Sequence, residues 1–205
     1  LAPKATAHRE FVIRALGPRV MLGVNIFRPD FAFDELYPLI VEAGCHRKIR
    51  LGITHPIKNG GNLCLDPCQY RIVGPLIVAA ARNAASFQIA LGFECGFVPC
   101  MFTEGELAEL RSHGTTIEWN CSPILDVGLD SRVVHCFPLS QWLNIPILPG
   151  ADAGGIFESF LQHASGHRIN GIYPWCPTCA HRLSNECRGG CLAASMRRRR
   201  GSPPG

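Results

Sequence analysis

No stretch of the 205 residues is apolar for long enough to cross a bilayer. The longest run, 87–102, is broken by Gln88, Glu94, two glycines and Pro99, whereas roughly 30 Å of hydrocarbon asks for about 20 apolar residues. The opening residues lack the basic and apolar blocks of a secretory signal. No H-E-x-x-H, G-x-S-x-G or phosphate-cradling P-loop occurs, so hydrolase, nucleotide-triphosphatase and histidine-based zinc chemistry find no support. Charge is also scarce, at 18% of residues, and the net +4 depends on the run Arg197 to Arg200. Without aromatic residues interleaved among the arginines, that run predicts a solvated, mobile tail at 197–205, and nucleic acid is not an expected partner.

What the chain does have is cysteine, eleven in all, in a body that is 47% hydrophobic and therefore globular. Without a secretory opening, so many thiols point to a reducing compartment, expected to be the cytoplasm, and to metal ligation rather than disulfides. Four lie close together in WCPTCAHRLSNECRGGCLAA. Cys176 and Cys179 form a C-x2-C knuckle whose sulfurs can converge on one ion or cluster edge, and Cys187 and Cys191 continue it as C-x7-C-x3-C. Upstream, Cys121 and Cys136 frame CSPILDVGLDSRVVHC, where Gly128 and Asp130 supply a turn between two short strands. Such a hairpin brings its terminal cysteines together.

The order C-x14-C, a gap of 39 residues, then C-x2-C-x7-C-x3-C resembles the SPASM domain of radical S-adenosylmethionine (radical SAM) enzymes. The resemblance implies one or two auxiliary 4Fe-4S clusters. Cys121, Cys136 and Cys191 would share one, and Cys176, Cys179 and Cys187 the other, each set one protein ligand short. Cys100 and Cys95, in ECGFVPC, are candidate extra ligands, with packing as buried thiols the competing role. His135 and His181, beside these cysteines, are candidate outer donors or loop residues, and Cys45 is expected to pack.

The preceding part of the chain reads as alternating strands and helices, which implies a parallel sheet with right-handed crossovers. A leading helix is followed by a buried strand in RVMLGVNIF and a helix, DELYPLIVEA, capped by Asp34 and stopped by Gly44. A strand at 48–54, a helix from about Pro75 to Ala85 and a strand at 87–93 come next. Thr103 and Glu106 then form a capping box for a helix ending at Gly114. Beyond 118 the texture turns to short strands, with one helix around 155–164.

The expected fold class is therefore α/β. By resemblance, 1–118 is the second half of a radical SAM partial (β/α) barrel, 119–196 a small cysteine-rich α+β SPASM-like domain and 197–205 the basic tail. Asn25 and Arg50, polar residues on barrel strands, are candidates for facing S-adenosylmethionine or substrate, against ordinary strand-end hydrogen bonding. The C-x3-C-x2-C motif that holds the cofactor-cleaving cluster is absent. Cys64 and Cys68 supply only its first half, with Arg71 in the third place, so the chain is expected to be a fragment unable to cleave S-adenosylmethionine alone. The resemblance further implies an oxidoreductase or modifying enzyme acting on a peptide, protein or small molecule, with a reductant such as a flavodoxin or ferredoxin. The competing reading is a zinc-binding interaction module, in which Cys176, Cys179, Cys187 and Cys191 close one four-thiolate site.

Overall fold

The computed structural model describes residues 3–58 and 61–199. It divides into two compact units, the first made of 1–53, 69–94 and 100–118, the second of 54–68, 95–99 and 119–205. The second unit thus takes in two segments from the earlier part of the chain.

In the first unit, α1 (Pro3–Leu16) precedes strand β1 (Leu22–Ile26), helix α2 (Leu36–Glu42), strand β2 (Lys48–Ile53), helix α3 (Tyr70–Ser86), strand β3 (Ala90–Phe93) and helix α4 (Glu104–Ser112). The strands form a parallel sheet in the order β1-β2-β3, with Val24 opposite Leu51 and Leu51 opposite Phe93. One face is the core: Ile26, Ile49, Leu51, Ile53, Leu91 and Phe93 are buried, as are Ile40 of α2 and Val73 and Ile77 of α3. Removing these side chains from water is the main force holding the unit together.

The alternate residues make a different surface. Gly23, Asn25 and Arg50 are exposed. A methyl group on Gly52 would meet Asn25 Oδ1 at 2.7 Å, and one on Gly92 would meet Lys48 Cε at 2.3 Å, so polar side chains lie flat across glycines. An exposed face on a parallel sheet is uncommon, because crossover helices usually cover both sides.

Several boundaries differ from the sequence expectation. Strand β1 is an edge strand of five residues with only Ile26 fully buried, rather than a strand buried on both faces. Asp34 does not cap α2; its Oδ1 accepts from Asn83 Nδ2 at 3.2 Å, and the helix starts two residues later with Glu35 as an N-cap that makes no side-chain bond. Helix α3 starts at Tyr70, before Pro75, because a buried stripe of Tyr70, Val73, Gly74, Ile77, Val78, Ala81 and Ala84 continues through the proline. A methyl group on Gly74 would meet the Met101 carbonyl at 2.3 Å, so only glycine permits that approach. Strand β3 begins at Ala90 because Gln88 takes a positive φ of 58° and ends the α3 connection there. The Thr103–Glu106 capping box is present with both reciprocal bonds, and Gly44 and Gly114 stop their helices at φ of 64° and 72°.

In the second unit, β4 (Asp126–Val127), β5 (Arg132–Val134) and β6 (Asn144–Pro146) form a small antiparallel sheet. Helices α5 (Ala153–Asn170), α6 (Ala180–Leu183) and α7 (Leu192–Arg199) follow. Helix α5 extends beyond the expected 155–164; Asp152 caps it through a 2.9 Å bond from the Gly155 N–H. The expected mobile tail is corrected for Arg197 and Arg198, which are part of α7. Leu192, Ala193, Ala194, Ser195 and Met196 are all buried, so the start of that helix is enclosed all round, and Arg198 donates to the Asn170 and Gly171 carbonyls at the end of α5. The rest of the expected tail, 200–205, lies outside the described residues.

Candidate metal centre

The core of the second unit mixes four buried thiols with apolar side chains. Cys121, Cys176, Cys187 and Cys191 are buried there with Val133, Leu139, Phe160, Ala164 and Ala193. All eleven cysteines are free thiols. Strands of two or three residues bury little apolar surface, and domains of this kind generally rely on a covalent or metal staple.

The hairpin β4-β5 pairs Asp126 with Val134 and Val127 with Val133, and the Ile124 N–H donates to the His135 carbonyl at 2.8 Å. This ladder brings Cys121 and Cys136 to the same end, as their spacing predicted. The Cys121 thiol is hydrogen-bonded to Cys95 and receives the backbone N–H of Leu192, the residue after Cys191. The Leu139 N–H donates to the Cys136 carbonyl at 3.0 Å, and Cys136 lies near enough to Cys121 that a thiolate at either opposes ionisation of the other. Contact with Cys95 and burial push Cys121 upward, and burial pushes Cys136 up to about 12. Arg168 donates to the Cys121 carbonyl, and its positive charge favours the thiolate.

The remaining thiols gather separately. Cys176 Sγ accepts the Tyr173 N–H at 3.3 Å, and Cys187 Sγ accepts the Gly189 N–H at 3.3 Å and that of Gly190. Burial raises the Cys187 thiol, with the Cys176 and Cys179 charges adding to the rise. Glycines make this packing feasible: a methyl group on Gly171 would meet Cys176 Cβ at 2.4 Å, and one on Gly190 would meet Ile172 Cδ1 at 2.9 Å. Backbone N–H groups aimed at sulfur stabilise thiolate and tune the potential of any iron it holds. As donors these sulfurs are soft, with Cys121, Cys176, Cys187 and Cys191 buried and Cys95, Cys136 and Cys179 half-buried.

Among the described residues no group of three or more His, Cys, Asp or Glu side chains is placed to hold a metal ion. A zinc ion at about 2.3 Å from each sulfur would draw its ligands to about 4 Å from one another.

The other candidates fall elsewhere. Arg50 forms an ion pair with Glu94, and Asn25 lies over Gly52. Of the two candidate extra ligands, Cys95 is in contact with Cys121, and Cys100 belongs to the first unit. His181 bonds Glu186 at 2.7 Å on the surface. The Cys68 N–H donates to Asp66, and Arg197 approaches Cys64 Sγ at 3.8 Å. His163 and His167 have the H-x3-H spacing on α5, but His163 Nδ1 is bonded to the Ser159 carbonyl at 2.7 Å. Cys45 is buried in the first unit, as expected.

His135 is not a loop histidine. It is fully buried edge-on against Phe160, with neither ring nitrogen bonded among the described residues. Burial first, then the Arg168 charge, lowers its pKa to about 4. An unfolded histidine takes its proton near 6.5, so the stability His135 contributes is complete above about pH 6.5 and is lost as the pH falls through about 4. Unfolding free energies measured for wild type and His135→Leu, prepared alike, are expected to diverge on acidification, wild type losing about 3 kcal/mol more by about pH 4. Parallel curves would show that the imidazole is not held neutral.

Compared with family models, with curated proteins and with solved structures, the chain matches none of them.

Proposed function

We propose that the chain is the C-terminal portion of a radical SAM enzyme of the SPASM type, an oxidoreductase or modifying enzyme acting on a peptide, protein or small molecule. One observation supports the reading: Cys121 lies beside Cys95 and Cys136, with residue 192 donating to it, and Cys187 lies beside Cys176 and Cys179. Cys95, Cys121, Cys136 and Cys191 would hold one auxiliary 4Fe-4S cluster, which supplies Cys95 as the fourth ligand that the motif alone lacks. Cys176, Cys179 and Cys187 would hold a second with one iron left open to another ligand. When bound, such clusters pass or accept single electrons.

The residues around the thiols have definite tasks. The N–H groups of Tyr173, Gly189, Gly190 and Leu192 stabilise sulfur charge, while Arg168 offsets part of the negative charge of the first group. The polar face of β1-β2-β3, with Gly23, Asn25 and Arg50 exposed, suits the inner side of a partial barrel, where Asn25 and Arg50 would meet S-adenosylmethionine or substrate. A flavodoxin or ferredoxin would serve as reductant.

Anaerobic preparation with iron and sulfide, followed by iron, sulfide and zinc analysis and a visible spectrum, tests the reading. About four to eight irons per chain with matching sulfide is the expected result. One zinc without sulfide would replace it with a four-thiolate interaction module.

A further inference from the structure

The second unit contains a cavity of about 340 Å³ that none of the thiol chemistry uses. Its volume lies in the range of small-molecule sites, which are mostly apolar with a few placed polar groups. One wall is aromatic. Tyr173 and Trp175 stack with ring centroids 4.6 Å apart and planes 6° from parallel. The Tyr173 hydroxyl is anchored by a 2.6 Å bond to the Pro67 carbonyl, so this slab is held in place, yet Trp175 remains 59% exposed. Pro56, Pro67 and Pro174 add flat, rigid, apolar surface.

The polar content is unbalanced. Arg198 also lines the cavity but is engaged by the carbonyls at the end of α5. The one carboxylate on the wall, Asp66, accepts the Cys68 N–H at 2.8 Å. Arg197 is left with a weak approach to Cys64 Sγ at 3.8 Å, and no carboxylate pairs with it among the described residues. A guanidinium beside an aromatic slab in a partly enclosed apolar cavity selects a carboxylate or similar anion attached to a flat ring. The anion takes the charge-assisted bonds, and the ring takes the stack.

We infer that this cavity is a binding site for a flat-ringed organic anion, its carboxylate on Arg197 and its ring against the Tyr173–Trp175 stack. None of the proposed metal ligands lines the cavity, although the Tyr173 N–H donates to Cys176 Sγ.

Calorimetric titration of the full chain with 2-naphthoate, its neutral isostere 2-naphthamide and the non-planar cyclohexanecarboxylate tests both halves of the inference. Wild type is expected to bind naphthoate about tenfold tighter than the amide, the difference expected of a charge-assisted bond over a neutral one, and tighter than cyclohexanecarboxylate. Arg197→Gln is expected to bring naphthoate down to the level of the amide, while Arg197→Lys keeps part of the preference. Trp175→Ala is expected to weaken both naphthyl ligands by a similar factor, and Trp175→Phe to spare them. Equal binding of acid and amide to the wild type overturns the inference, as does a preference that survives Arg197→Gln or an absence of binding by all three probes. The wild-type comparison needs no variant to fold.

Discussion

Gly171→Ala is expected to lower the stability of the second unit by about 3 kcal/mol or more, through two causes that act at one atom. Gly171 ends α5 at φ 57° and ψ −173°, a backbone region that is essentially closed to other residues and costs about 1–3 kcal/mol to impose on one. The added methyl group would also stand 2.4 Å from Cys176 Cβ and 2.6 Å from its sulfur. It therefore cannot be accommodated without moving a thiol of the second group, and metal content should fall together with stability. In a chain of this size the apparent melting temperature would drop by roughly 10 °C. Gly166→Ala supplies the control, because that glycine lies within the same helix with open space around its Cβ. There alanine should be neutral or stabilising by up to about 1 kcal/mol. A Gly171→Ala protein that melts like wild type would mean that Cys176 is not held where the structure has it.

Cys121→Ala and Cys187→Ala are expected to remove different halves of the metal. If Cys121 serves with Cys95, Cys136 and Cys191, its loss should cost about half of the iron and sulfide and leave the absorption of the other cluster intact. Cys187→Ala should do the converse, and the double variant should lose nearly all. This pattern differs from that of a single four-thiolate zinc site, which Cys187→Ala abolishes and Cys121→Ala leaves filled. Complete loss from either single variant would mean one shared centre and would overturn the division into two.

The order of elements was legible wherever a local signal coincided with a local cause. The capping box at Thr103 and Glu106 and the glycine stops at 44 and 114 are short-range chemistry, and each appears as read. The hairpin between Cys121 and Cys136 was legible for the same reason, since its turn residues lie within the segment. Errors arose where packing overrode a local rule. Pro75 marked a helix start in the sequence, yet the buried face from Tyr70 onward outweighs the one backbone bond that the proline forgoes. The Arg197 to Arg200 run looked like a solvated tail because charge was visible and the buried start of α7 just before it was not read as a helix.

In the candidate centre, spacing gathered Cys176, Cys179, Cys187 and Cys191 into one run, and only the resemblance set Cys191 apart from the other three. The partnership of Cys95 with Cys121 spans 26 positions and required the folded chain, because Cys95 and Cys100 look alike in ECGFVPC. His135 was misread because nothing in VVHC announces that its ring turns inward against Phe160. The cavity at Arg197 was illegible for a similar reason, since its walls come from 56–68 and from 172–198.

The strand order β1-β2-β3 leaves β1 at a border. Its inner backbone groups are taken up by β2, while the outward-pointing amides and carbonyls of Leu22–Ile26 pair with no strand among the described residues. Such a border is a template: a further parallel strand could join it through main-chain bonds alone, without displacing any side chain of the buried face. Left exposed, the same border is the natural place for two copies of the chain to adhere, and whatever occupies it in the cell also protects the protein from its own stickiness.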